Sequence, residues 1–99
     1  MTSRPAPGAG PDRATVLRAF VGADGRWARI PAKRAKRLVL LDLAAQEFEP
    51  GETYAETEVN ARLRAFHDDV AAVRRYLVDE GFLDRDGGRY WRIGGTVDV

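Results

Sequence analysis

The sequence predicts an α+β fold, in which helices come before a small antiparallel sheet. Apolar residues recur with helical spacing over about 32–48, and a short helix (about 56–66) and a longer helix that runs to Glu80 are expected after it. Two short strands are then predicted within 82–93, because the turn residues DGG at 86–88 lie between them. This order of helices and hairpin is that of a winged helix-turn-helix.

An extra helix and a short strand are expected in front of this core. Asp12 can cap a helix with the sequence RATVLRAFV, whose apolar side chains offer one face. Residues 26–30 read Arg-Trp-Ala-Arg-Ile, and this succession of charged and apolar side chains predicts a short strand anchored by Trp27. The predicted fold is therefore a winged helix-turn-helix with an extra N-terminal helix and short strand.

The predicted helix over 32–48 is the central one, because it carries two apolar faces. The first face consists of Leu38, Leu41, Ala45 and Phe48. The second face consists of Val39, Leu40, Leu43 and Ala44. A Pro-Gly pair at 50–51 follows where such a helix stops. The later, longer helix has Asp68 or Asp69 to cap its start and Gly81 just past its end.

Composition limits the class of protein. The 99 residues, 44% of them hydrophobic and 31% charged, suit one globular core. No apolar run approaches the roughly 20 residues that span a membrane, and the lack of cysteine excludes disulfides and thiolate chemistry. We therefore expect a cytoplasmic protein with a flexible tail over 1–11, a single winged-helix-like domain over 12–94 and a C-terminal tail over 95–99.

Charge is distributed unevenly along the chain. Residues 1–37 hold nine Lys and Arg against two acids, a net charge of +7, whereas residues 38–99 hold seven Arg against thirteen acids, a net charge of −6. Such asymmetry can mark contact with nucleic acid. It can equally mean that the two halves attract each other in the fold, and the sequence leaves both interpretations open.

The densest positive charge lies in IPAKRAKRLVLL (30–41), where four cations precede an apolar run. We call these cations the basic block: Lys33, Arg34, Lys36 and Arg37. Cations at a helix start oppose the helix dipole, so the basic block should meet either acids within the fold or an external anion. As phosphate contacts they would be joined by Arg26 and Arg29. The acids that could pair with them instead are Glu47, Glu49, Glu52, Glu56, Glu58, Asp68 and Asp69.

The longer helix and the hairpin supply further arginines. Arg74 and Arg75 are expected on the outward face of that helix, and Arg85 and Arg89 flank the hairpin turn. Guanidinium groups suit phosphates because they donate two parallel hydrogen bonds. The start of the helix instead carries the sequence HDD, whose two carboxylates would repel phosphates unless a cation holds them. The helix is therefore a weak candidate for reading bases.

No catalytic, metal or cofactor site is predicted. Ser3 lies in the expected tail and His67 is the one histidine, so no Ser–His–Asp arrangement or typical transition-metal site is expected in the fold. The glycine-rich segments lack the Lys-Ser/Thr of a phosphate loop. Paired carboxylates occur, but on helix surfaces such pairs are usually solvated. We therefore do not expect an enzyme.

Three blocks of the sequence resemble a known family. IPAKRAKRLVLL, FEPGETYAETEVN and FHDDVAAVRRYLVDEGFLDRDGGRYWR are similar in order and spacing to a bacterial family described only as domain of unknown function 2087, over roughly residues 20–92. The resemblance implies a link to transcription, since members occur alone or attached to helix-turn-helix regulators, and it supplies no catalytic residues. Ala55 departs from the family, which often has a small hydroxyl residue there, at a cost of about 1 kcal/mol in helix capping.

Two functions remain from the sequence. The first is a transcriptional regulator that binds double-stranded DNA mainly through the phosphate backbone, as a homodimer or with a partner regulator. The second is a protein-interaction or ligand-sensing winged-helix module without direct DNA binding. DNA contact is favoured if the basic block, Arg75 and the hairpin arginines share one face, and it becomes much weaker as an interpretation if they are spread over the molecule or paired with Asp68 and Asp69. The candidate DNA-binding residues are Arg26, Arg29, Lys33, Arg34, Lys36, Arg37, Arg74, Arg75, Arg85 and Arg89.

Overall fold

Four helices and a three-stranded antiparallel sheet make up the part of the chain that the structure describes. The computed structural model describes residues 12–97, so the flexible tail expected over 1–11 lies outside the described residues. In chain order the elements are α1 (Arg13–Phe20), α2 (Arg34–Ala45), β1 (Thr53–Ala55), α3 (Glu56–Leu63), α4 (Val70–Asp79), β2 (Leu83–Asp86) and β3 (Arg89–Arg92). None of these helices has both the length and the apolar character needed to cross a membrane. The predicted α+β class is confirmed, and the order of elements is compatible with a winged helix.

The N-terminal helix α1 forms as expected, but residues 26–30 do not form the predicted strand. Asp12 caps α1, and its carboxylate accepts from the Thr15 backbone N–H at 3.3 Å. Trp27 makes an isolated bridge to the residue after α1. Its backbone N–H donates instead to the Phe66 carbonyl at 2.7 Å, and its buried ring packs on the Phe66 ring. Trp27 is therefore an anchor, as expected, but it joins α1 to the segment after α3.

Helix α2 is the central helix, because it contacts both α1 and α4. Its fully buried apolar side chains come from both of the predicted faces and are Leu40, Leu41, Ala44 and Ala45. After the helix ends at Ala45, a turn places Phe48 in the core. Extended backbone at Lys33 and the turn after Ala45 make the helix shorter at both ends than the predicted span of 32–48.

The hairpin and one further strand form the sheet in the order β1-β3-β2. The hairpin turn uses a positive φ at Gly87 and Gly88, 55° and 79°, which glycine adopts without steric cost. Strand β1 arises from the segment expected as a brief extended link, because Tyr54 pairs with Tyr90. Arg85 pairs with Tyr90 from the other side. The Arg85 side chain therefore lies on the same sheet face as these two buried tyrosines.

A buried carboxylate on α2 holds residues near the C-terminus. Asp42 is 7% exposed. It accepts from the Thr96 backbone N–H at 2.7 Å, the Thr96 hydroxyl at 2.9 Å and Arg13 Nη1 at 2.8 Å. Burial acts to raise the pKa of Asp42, but these hydrogen bonds outweigh it and hold that pKa below its ordinary value. Thr96 lies beyond the domain boundary expected at residue 94, yet these bonds attach it to α2.

Helix α3 begins without a capping side chain. Ala55 occupies the N-cap position in an extended conformation and offers no acceptor, although Glu58 Oε1 accepts from its backbone N–H at 3.2 Å. We expect Ala55→Ser to raise the free energy of unfolding by about 0.5–1 kcal/mol, because the new hydroxyl can accept from the Glu58 backbone N–H. Urea unfolding measures the change. Ala61→Ser, inside the same helix, should be neutral or slightly destabilising, and equal effects of the two substitutions would contradict the capping interpretation.

Candidate nucleic-acid interface

A cleft of about 260 Å³ lies between the outward flank of α4 and the hairpin. Helix α4 supplies most of its wall, because residues three and four apart on a helix share one side. Strand β2 contributes Arg85, which lies beside Tyr90 across the hairpin. The residues that line the cleft are Ala71, Arg74, Arg75, Val78, Asp79, Arg85 and Tyr90. Three guanidinium groups therefore border the cleft, against the single carboxylate of Asp79.

The three cleft arginines are of two kinds. Arg75 and Arg85 are exposed, and neither forms an ion pair within residues 12–97. The side chain of Arg74 is 21% exposed and is held by α3. Its Nη1 donates to Asn60 Oδ1, and its Nε lies 3.6 Å from Glu56 Oε1. One arginine of the cleft is thus oriented by the fold, whereas the other two can adjust to a ligand.

The network behind Arg74 joins three elements. Glu56 and Asn60 are one turn apart on α3 and so share one side of that helix. The hydroxyl of the buried Tyr90 donates to Glu56 Oε1 at 2.7 Å. The sequence alone predicts Glu56 as a possible partner of the basic block or as one of the paired surface carboxylates, and it predicts no role for Asn60. Their i, i+4 spacing was the signal that could have placed both of them on one helix face.

Arg34 of the basic block forms an ion pair within the fold. Its Nε donates to Glu80 Oε2 at 2.9 Å, and its Nη2 donates to Glu80 Oε1 at 2.8 Å. The hydrogen bonds from Arg34 hold the pKa of Glu80 below its ordinary value, and in turn the Glu80 carboxylate raises the pKa of Arg34. Glu80 was not among the acids expected to pair with the block. The two residues meet because α2 packs on α4.

Arg37 is likewise engaged within the fold. Its side chain is 14% exposed and lies 4.4 Å from the centre of the Tyr76 ring. Its Nη1 donates to the carbonyls of residues 31–32 at 3.2 and 3.0 Å. Lys33 and Lys36 form no ion pairs within the part of the chain that is described. The basic block therefore divides into two arginines that stabilise the fold and two unpaired lysines.

Arg26 and Arg29 also contact the protein itself. Arg26 donates to Asp68 Oδ1 at 2.5 Å and to the Arg64 carbonyl at 2.6 Å. These bonds tie the loop after α1 to the segment between α3 and α4. The Arg29 guanidinium lies 4.7 Å from the centre of the Phe20 ring. Both arginines therefore help to hold the N-terminal segment against the helices.

The ten candidate residues do not share one face. Arg89 donates to Thr53 Oγ1 at 3.0 Å. Arg85 pairs with Tyr90 and shares its sheet face. Arg89 directly precedes Tyr90, so its side chain lies on the opposite face. On α4, Tyr76 contacts the basic block and Val78 lines the cleft, and residues two apart on a helix point about 160° apart. The structure therefore brings the three cleft arginines together and places the basic block on the other flank of α4.

Comparison with known proteins identifies a family but no activity. The family described as "Uncharacterized protein conserved in bacteria (DUF2087)" matches residues 26–92. The matched stretch contains α2, α3, α4 and the sheet, and therefore both the basic block and the cleft. No curated protein and no solved structure matches the chain.

Proposed function

The chain belongs to the bacterial family DUF2087, and we propose that it is a winged-helix transcriptional regulator that contacts double-stranded DNA mainly through the phosphate backbone. The family description assigns no activity, so the proposal depends on the cleft between α4 and the hairpin. In a winged helix these two elements are the ones that meet DNA. Here they carry the three cleft arginines.

The convergence of Arg74, Arg75 and Arg85 on one cleft is the observation that carries the proposal. Guanidinium groups donate paired hydrogen bonds to phosphate oxygens. Two of these three arginines have no acidic partner within residues 12–97. Cations gathered around one cleft repel one another, and an anion bound between them removes that repulsion.

The acids at the start of α4 do not oppose this contact. Asp69 caps the helix and accepts from the Ala72 backbone N–H at 3.1 Å. Asp68 is paired with Arg26. Both carboxylates are therefore engaged within the protein, which lessens their repulsion of phosphates. A carboxylate can accept from cytosine but cannot donate to guanine, and both carboxylates are already engaged here, so we propose backbone contact rather than base reading.

The proposed contact surface is smaller than the set of candidate residues from the sequence. Its members are the three cleft arginines. The remaining candidates contact other parts of the fold or lie away from the cleft, and they are Arg26, Arg29, Lys33, Arg34, Lys36, Arg37 and Arg89. A surface of this size covers a short DNA site, so a second copy or a partner regulator would be needed for specificity.

Fluorescence anisotropy of a labelled random duplex, measured at several salt concentrations, tests the proposal. Three arginine–phosphate contacts should give a slope of log affinity against log salt of about −3. Arg75→Gln combined with Arg85→Gln should weaken binding by about tenfold or more. The same double substitution should make the slope shallower by about 2, because each lost contact releases about one counterion fewer.

Lys33→Gln combined with Lys36→Gln is the matched control for this experiment. It removes the same charge from the start of α2, outside the residues that line the cleft, and it should weaken binding less than the arginine pair does. A larger loss from the lysine pair would place the contact at the basic block and overturn the assignment to the cleft. No binding even at low salt would overturn DNA contact and favour the protein-interaction or ligand-sensing alternative.

A further inference from the structure

We propose that the cleft between α4 and the hairpin is a discrete oxyanion site that seats one phosphate group, with Arg74 as its fixed donor and Asn60 and Glu56 as positioning residues. The inference rests on the proposed function in one respect, since the backbone of a DNA strand is one source of that phosphate. A free phosphorylated small molecule is the other source. The chemistry that the site would recognise is the same in both.

Arg74 differs from an ordinary surface arginine because the fold sets its orientation before a ligand arrives. Its Nη1 donates to Asn60 Oδ1 and its Nε faces Glu56 Oε1 at 3.6 Å. Ordering a long side chain on binding costs conformational entropy, and Arg74 has lost that entropy on folding. Its Nη2 has no hydrogen-bond partner within residues 12–97. The guanidinium therefore keeps donors for a ligand.

The size and charge of the cleft suit one small anionic group. Its volume of about 260 Å³ is just below the roughly 300–1,000 Å³ of pockets that hold small molecules. Ala71 and Val78 make part of its wall apolar, which can cover a sugar or alkyl group attached to the phosphate. Glu56 pairs with Arg74 from behind the cleft, so three guanidinium groups against the carboxylates of Asp79 and Glu56 leave one positive charge in excess. This excess favours a singly charged phosphate, such as a phosphodiester or a phosphate monoanion.

Nuclear magnetic resonance titration with inorganic phosphate, at an ionic strength held constant with sodium chloride, tests the site. The side-chain N–H signals of Arg74 are expected to shift saturably. Arg74→Gln should weaken phosphate binding by about tenfold or more, because charge-assisted hydrogen bonds are lost. Arg18→Gln, on the exposed surface of α1, is the matched control and should leave the affinity unchanged. Shifts that do not saturate, or equal affinities of the two variants, would overturn the proposal.

Two further variants separate positioning from simple charge. Asn60→Ala keeps every arginine and should weaken phosphate binding severalfold, with a shift of the Arg74 side-chain signals in the free protein. Arg74→Lys keeps the charge beside Glu56 but not the planar fork, and it should also weaken binding. It replaces Arg74→Gln if the amide spectrum shows that the glutamine variant is unfolded. Unchanged phosphate affinity in a folded Asn60→Ala protein would contradict the positioning role, and in folded Arg74→Lys it would overturn the fixed-donor role.

Competition between phosphate and the labelled duplex distinguishes this inference from the proposed function. If phosphate binds saturably and displaces the duplex, both stand and the DNA backbone is a source of the seated group. If phosphate binds saturably but the duplex does not bind, the oxyanion site stands with a small phosphorylated ligand and DNA contact fails. If the duplex binds through the cleft arginines but phosphate does not saturate, DNA contact stands and the discrete site fails.

Discussion

Phe48→Ala is expected to lower the free energy of unfolding by about 3–5 kcal/mol, the range for removing a buried phenylalanine. Phe48 is fully buried, and its ring meets the Tyr54 ring edge-on with 5.1 Å between ring centres. Its backbone carbonyl also accepts from Arg92 Nη1 at 3.2 Å. The side chain therefore fastens the turn after α2 to β1. A loss of this size is a large share of the 5–15 kcal/mol typical of a small domain.

Urea unfolding, followed by far-UV circular dichroism and by tryptophan fluorescence, measures this loss. Coincident transitions from the two signals would establish two-state unfolding, which the comparison of free energies requires. Ile93→Ala is the control, because Ile93 is 56% exposed and its truncation should cost under about 0.5 kcal/mol. Similar costs for the two substitutions would mean that the Phe48 ring does not hold the turn to the sheet.

Asp42→Ala is expected to lower the free energy of unfolding by about 2–3 kcal/mol at pH 7, because hydrogen bonds to a charged group are lost. The carboxylate accepts from both the backbone and the hydroxyl of Thr96 and from Arg13. The Arg13 side chain is 47% exposed, so water can replace its contact and most of the loss should come from Thr96. Asp79→Ala is the control, since this exposed acid forms no ion pair within residues 12–97.

The contribution of Asp42 should depend on pH. Its pKa is lower in the folded protein than the ordinary value of 3.8, so the unfolded chain takes up the proton more readily. The stabilisation is therefore complete above about pH 5 and is lost progressively as the pH falls through the folded-state pKa. Unfolding measured from pH 6 to pH 2 should show a steeper loss for the wild type than for Asp42→Ala. Parallel curves would contradict this assignment.

The pKa of Glu80 is also lowered in the folded protein, by Arg34, so Glu80 should add a loss of stability in acid of the same sign.

Local signals predicted most of the helices and the hairpin, but they failed at the strand expected over 26–30. The pattern of side chains over 26–30 did not reveal how this segment pairs. The Trp27 backbone N–H donates to the Phe66 carbonyl, which is distant in the sequence, rather than to a neighbouring strand. In the candidate site, the exposed position of Arg75 followed from helical spacing, whereas Arg74, expected on the same outward face, is held by α3. The convergence of Arg85 on them did not follow from spacing, because it depends on the hairpin packing beside α4.

The sequence by itself determined the helices, the hairpin and their order, because their signals act between residues a few positions apart. The caps Asp12 and Asp69 and the glycines of the hairpin turn are of this kind. Only the tertiary structure decided which charges are free. Arg34 and Glu80 are 46 positions apart and pair because α2 packs on α4. Packing therefore engages Arg34 and Arg37 within the fold. It also brings Arg85 next to Arg74 and Arg75 in the cleft, although these arginines form no dense cluster in the sequence.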